Sequence, residues 1–171
     1  MLIRVFIIRF FIIYYKGPVN VTINISLVTG RRNFMQLFDI HILGILLAVV
    51  ANTVIGALWY SPLLFAKVWM KSLGKTPEEL NTSSANTGYL LTMIAAIISA
   101  VILSYFISLV DSISIGDGAL IGFLAGFGIA AARELSPTFF ESRNFTLYMI
   151  SAGYHIVALT IMGTILAAFA K

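Results

Sequence analysis

Polar residues in this chain are gathered into short clusters, and the stretches between them are long and apolar all round. A bilayer core about 30 Å thick is crossed by about 20 helical residues. Residues 40–60 meet that length, with His41 at the edge as their only titratable side chain. So do residues 88–110, which carry no charge, and residues 145–170, which are interrupted only by His155. The remaining span is weaker. After the uncharged stretch from Gly118 to Ala132 come Arg133 and Glu134. A helix over 117–136 is predicted, with Arg133 reaching toward headgroups and Ser136-Pro137 as its stop. These spans define an all-α fold class, a polytopic membrane protein built as a four-transmembrane-helix bundle.

The connections are short. DSISIGD between spans two and three supplies Asp111, Gly116 and Asp117 as turn residues, and SPTFFESRN joins spans three and four. The longest connection holds LLFAKVWMKSLGK, in which Lys67 and Lys71 lie one turn apart beside Leu64, Val68 and Trp69. That pattern predicts a short amphipathic interfacial helix over 63–73. Thr76-Pro77-Glu78-Glu79 reads as a capping box with proline in the first helical position. The NTSSAN stretch over 81–86 reads as the most flexible part of the body.

Composition excludes a soluble globular protein: mean hydropathy is +0.98, with 60% apolar and 11% charged residues, against about 45–50% and about 25% in soluble domains. The absence of cysteine excludes disulfides, iron–sulfur ligation and thiolate chemistry. The formal charge of +4 divides unevenly, since residues 1–34 carry +5 with no acid and residues 35–171 carry −1. The main body is therefore no nucleic-acid binder, and the lipid bilayer is its expected partner. Lys67, Lys71, Lys75, Arg133 and Arg143 fall on one side of the membrane and only Lys171 on the other. The positive-inside rule then places loops 61–87 and 137–144 in the cytoplasm, with Trp59, Tyr60 and Trp69 in the inner aromatic belt.

The first 34 residues do not fit this scheme. Their apolar run contains Arg4 and Arg9, each costing about 2.5–3.5 kcal/mol at a helix centre, which cancels most of the gain from the aliphatic and aromatic neighbours. No small-residue cleavage site follows. The reading made here is that Met35 is the true start and that residues 35–171 form a single four-span domain. The phenylalanine, isoleucine, tyrosine and asparagine richness of 1–34 is that of translated AT-rich noncoding DNA, and Gly30-Arg31-Arg32 is how a purine-rich ribosome-binding site reads in frame. The alternative is a basic anchor at the membrane surface.

Two stretches carry a resemblance: GALWYSPLLFAKVWMKSLG over 56–74, followed by the T-P-E-E turn, and FFESRNFTLYMISAGYHIVALTIMGTILAAF over 139–169. Together they resemble the domain-of-unknown-function 1761 family of small bacterial integral membrane proteins, over about residues 37–170. The specific elements are the turn Trp59-Tyr60-Ser61-Pro62, the K-x-W-M-K segment and the A-G-Y-H run in span four. The resemblance implies a four-helix membrane architecture. It implies no activity, substrate or cofactor.

Membrane helices associate through close contact of small residues, and each span has a row of such positions four apart. Span one has Gly44, Ala48, Asn52, Gly56 and Tyr60; span two has Gly88, Thr92, Ala96, Ala100, Ser104 and Ser108. Span three has Gly118, Gly122, Gly126, Ala130 and Glu134; span four has Ser151, His155, Leu159, Gly163 and Ala167. The glycines of span three are expected to pack against a neighbour. No catalytic residue, metal site or cofactor is expected: Ser61 lacks a histidine or acid at motif spacing, Glu78 and Glu79 are first-turn helix residues, and no phosphate-binding glycine loop appears. Counted from the span ends, Asn52 and His155 both fall near the midplane, with Tyr154 beside them. An amide and an imidazole in hydrocarbon are costly unless paired. Both are therefore expected to face the interior, with His155 neutral and bonded to Asn52, Tyr60, Tyr154, Ser104 or a backbone carbonyl. The packing rows and minimal loops point first to a membrane assembly or regulatory module that contacts a second copy of itself or another membrane protein. The alternative is a small oligomeric permease or channel with a midplane His155/Asn52 polar site.

Overall fold

A computed structural model describes residues 41–80 and 83–170; the 1–34 extension and Met35 lie outside the described residues. In chain order the elements are α1 (Ile42–Trp59), α2 (Ala66–Leu73), α3 (Pro77–Leu80), α4 (Ser83–Ser108), α5 (Ile115–Leu124), a π-helical segment (Ala125–Ala131), α6 (Ala132–Phe140) and α7 (Phe145–Phe169). Four helices are long and apolar enough to cross a membrane: α1, α4, the continuous Ile115–Phe140 span and α7. The protein is an all-helical membrane protein.

Several element ends differ from the sequence expectation, each for a local reason. The third span starts at Ile115 rather than 117 because Ser114 is its N-cap: the Asp117 N–H donates to Ser114 Oγ at 3.1 Å and the Ser114 N–H donates to Asp117 Oδ2 at 2.9 Å. Asp117 thus belongs to the first turn of the helix, completing a capping box. The same span runs through Pro137 to Phe140 instead of stopping there. The proline leaves the Arg133 carbonyl without its backbone donor, a single loss close to the helix end, and in the same turn the Thr138 hydroxyl donates to the Glu134 carbonyl at 2.7 Å. Residues 83–86, read as flexible, open α4; serine and asparagine suit a helix start.

The amphipathic helix begins at Ala66 rather than 63 because Ser61–Pro62 winds the chain into a turn. Ser61 Oγ donates to the Leu58 carbonyl at 2.7 Å and the Phe65 N–H donates to the Trp59 carbonyl at 3.1 Å. Lys67 and Lys71 are exposed on α2 while Ala66 is buried. Gly74, at φ 66°, ends α2 in the left-handed conformation that favours glycine. The Thr76 N–H then donates to Glu79 Oε2 at 2.9 Å and caps α3. Hydrogen bonds from its own backbone and from the Thr76 side chain hold the Glu78 carboxyl below its ordinary value.

α7 is the central element and packs against all three other spans. Its closest neighbour is the third span, which crosses it antiparallel through Gly118, Gly122 and Gly126, all buried. A Cβ at Gly126 would stand 2.7 Å from Ile156 Cα and 2.9 Å from the His155 carbonyl oxygen. At Gly118 it would overlap the Gly163 carbonyl. Only glycine permits this backbone-to-backbone approach. The apolar core is completed by Ala48 on α1, by Ala100, Leu103 and Ile107 on α4, and by Met162 and Leu166 on α7.

The small row of span two is corrected here. Ala96 and Ala100 are buried, but the contact line continues through Leu103 and Ile107 rather than Ser104, because a four-residue step overshoots a 3.6-residue turn by about 40°. At the other end Gly88 and Thr92 are exposed, as is every residue from 86 to 95. The N-terminal part of α4 therefore stands clear of the bundle.

Candidate functional site

The A-G-Y-H run lies on the half of α7 that faces the end of α1. Tyr154 fits against Gly56, where a Cβ would stand 3.4 Å from the phenol oxygen. Its hydroxyl donates to Asn52 Oδ1 at 3.1 Å. Asn52 is 8% exposed, so this bond satisfies an amide that would otherwise sit unpaired in the apolar interior. The turn after α1 reaches the same region. Trp59 lies over Gly153 and its indole N–H donates to the Ile150 carbonyl at 2.9 Å. The Tyr60 phenol lies close to the Ser151 side chain. Its ring centroid lies 5.6 Å from that of Tyr154 and 5.4 Å from that of Trp69 on α2. Ser61 and Pro62 shape the turn and contribute nothing further to the cluster.

His155 takes none of the partners expected for it. Its Nε2 meets Glu134 Oε1 of the third span at 3.1 Å. Side chains of a helix lean toward its N-terminus, so in this antiparallel pair the glutamate and the imidazole lean toward one another. The π segment supplies the azimuth. From Gly126 to Glu134 an unbroken α-helix would turn about 80° past two full turns. The wider i→i+5 winding turns each residue about 18° less, and five or six such steps bring Glu134 back to within about 30° of Gly126. Glu134 closes the small row of the third span and His155 belongs to that of α7. That shared placement was the signal in the sequence, but reading Arg133-Glu134 as the headgroup end of the third span hid it.

Asn52, Tyr60, Glu134, Ser151, Tyr154 and His155 thus form one polar cluster joining three spans, with Gly118, Gly122 and Gly126 setting the distance between two of them. The His155 and Glu134 side chains are 38% and 35% exposed. The reason is the position of α4. Ser151, His155, Ala158, Met162 and Leu166 follow one face of α7, and α4 covers its upper part through Leu103 and Ile107. Lower down, residues 86–95 of α4 stand away, leaving the Ser151–His155 end uncovered. Among the described residues no group of three or more histidine, cysteine, aspartate or glutamate side chains could hold a metal ion.

A contact between an imidazole nitrogen and a carboxylate oxygen requires a proton between them. With one labile proton beyond the imidazole's own the pair is neutral, and without it the pair carries one negative charge. Fold and cluster together define a small polytopic membrane protein with an ionisable pair inside its bundle. The family model for proteins of unknown function (DUF1761) matches residues 43–167, and the chain belongs to that family. No curated protein and no solved structure matches it.

Proposed function

We propose that the protein is a small permease of the bacterial inner membrane, with the Glu134–His155 pair as its proton-carrying element. The observation that carries this reading is the 3.1 Å contact of two ionisable side chains from different membrane-spanning helices. Such groups are expensive in a bilayer and mark ion and proton routes. The uncovered lower face of α7 gives the pair an approach from one side. Lys67, Lys71, Lys75 and Arg143 favour placing loops 61–87 and 137–144 in the cytoplasm, and the approach then opens toward that side. In proteoliposomes enclosing a pH dye, an imposed acid step should acidify the lumen several-fold faster with the wild type than with Glu134→Gln. Equal rates would overturn the proposal.

A second reading, the assembly or regulatory module, is favoured by a separate observation. Residues 86–95 are exposed on all faces, and an open apolar groove of about 500 Å³ runs between Leu47, Val54, Ile115 and Phe169. A membrane partner or second copy would cover these surfaces. Native mass spectrometry of protein released directly from native membranes that returned only the monomer, with neither a second copy nor another membrane protein, would remove this reading.

A further inference from the structure

We propose that Glu134, with Tyr60, Tyr154 and His155, forms a binding site for a small monovalent organic ammonium ion that exchanges with the proton held between Glu134 and His155. The inference names a substrate class for the permease reading, and it rests on that reading only for what binding accomplishes.

Charge supplies the first argument. The deprotonated pair is an anion within the membrane-spanning part of the bundle, where a charge is costly and demands compensation. A proton provides it in one state and a bound monovalent cation in the other. Exchange therefore leaves the net charge of the site unchanged: one proton leaves the pair for water as one ammonium enters. The charged groups nearby offer no substitute. Lys67 and Lys71 on α2 and Arg133 beside Glu134 are exposed, and residues 86–95 of α4 carry no charge. From α1 and α7 the neighbouring side chains are Tyr60, Ser151 and Tyr154, all uncharged at neutral pH.

The aromatic rings supply the second argument. Trp69, Tyr60, Tyr154 and His155 form an unbroken ladder with centroid separations of 5.4, 5.6 and 5.2 Å, rising from the interfacial helix to the carboxylate. Aromatic faces beside a carboxylate are the recognition chemistry of organic ammonium ions. A hard divalent cation wants six or more oxygen ligands, whereas the described residues contain no metal-binding group. The third argument is access, since Glu134 and His155 are each about one-third exposed where α4 stands clear of α7.

The test uses the full chain in lipid nanodiscs, with choline as the probe and its uncharged carbon isostere 3,3-dimethylbutan-1-ol as the control, followed by calorimetry. Saturable choline binding is expected, severalfold tighter at pH 8 than at pH 6, with no competition from the isostere. Glu134→Gln, which keeps a hydrogen-bonding group, should weaken binding more than tenfold. Tyr60→Leu should weaken it by about threefold to thirtyfold, as loss of one cation–π contact does, and Tyr60→Phe should retain most of it. Equal competition by the isostere, pH-independent binding, or no binding at millimolar choline would each overturn the proposal. The first two readouts need only wild-type protein, so they decide the matter even if Glu134→Gln fails to fold. Glu134-dependent proton uptake without choline binding would defeat this inference and leave the permease reading standing. Choline binding without proton uptake would do the reverse.

Discussion

Replacing Gly122 by alanine adds one methyl group at the place where two membrane helices come closest. The new Cβ would overlap the Leu159 carbonyl oxygen and lie 2.8 Å from its carbon and 2.9 Å from Thr160 Cα. Carbon atoms pack comfortably at about 3.5–4.0 Å, and every atom in the way is backbone, so no rotamer change relieves the clash. The third span and α7 have to separate by roughly 1 Å, which also loosens the contacts at Gly118 and Gly126. Overpacking of this kind costs about 1–3 kcal/mol. Gly88→Ala makes the same chemical change on α4, where nothing lies within 4 Å of the new Cβ. There alanine gains up to about 1 kcal/mol of helix propensity. The two variants should therefore lie on opposite sides of the wild type, separated by about 1–4 kcal/mol. Unfolding in mixed micelles of rising dodecyl sulfate content, followed by circular dichroism, measures the difference. If Gly122→Ala proves as stable as Gly88→Ala, the glycine row is not a backbone contact and the packing argument is wrong.

Trp59→Phe removes the indole donor to the Ile150 carbonyl and should cost about 1 kcal/mol in the same unfolding assay; an unchanged midpoint would mean that the turn does not clamp α1 to α7. Ser142 occupies the left-handed region at φ 53°, so Ser142→Gly should raise stability by up to about 1 kcal/mol through relief of backbone strain, again read from the unfolding midpoint. The Glu78 carboxyl, held below its ordinary value by its own backbone and by Thr76, contributes to α3 above the value it has in the unfolded chain. That contribution is lost as pH falls through the depressed folded value, so protection of the 78–80 amides, taken relative to their intrinsic exchange rates, should fall below about pH 4 while α7 stays protected. Exchange that is uniform across that range would contradict the assignment.

The four spans were legible because long apolar runs admit few structures in a bilayer, and the amphipathic helix because Lys67 and Lys71 share one face. Helix ends were less legible. Asp117 is a turn residue by type and a first-turn helix residue by its bond to Ser114, and composition does not distinguish the two. Pro137 looks like a stop, but it lies three residues from the end of the helix, where the one donor it removes does not end the winding. Depth counting put Asn52 and His155 at the midplane with Tyr154 beside them, but the bond that Tyr154 makes to Asn52 was not among the pairings it offered. The partner of His155 escaped that reasoning. Counting on a regular α-helix rotates Glu134 away from the glycine face, and nothing in AGFGIAA announces that the winding there is wider.

That wider winding gives a last prediction, which separates the position of Glu134 from the chemistry proposed for it. If the π segment serves to bring Glu134 onto the glycine face, its effect should be reproduced by removing one residue. With Gly128 deleted and the segment wound as an ordinary α-helix, seven residues' worth of rotation falls only about 20° short of two turns, which keeps Glu134 facing α7. Gly128 is the residue to remove because nothing lies within 4 Å of its Cβ position. Inserting an alanine after it instead carries Glu134 a further 80–100° or so around the helix, away from His155. The chain has no cysteine, so Glu134→Cys and His155→Cys can be combined in each background without other changes, and a short bifunctional thiol reagent reports their proximity. Cross-linking should persist in the original length and in the deletion, and drop sharply in the insertion. Loss in the deletion together with retention in the insertion would show that the π segment does not set the register of the pair, and the link drawn between the glycine row and the polar cluster would fall with it.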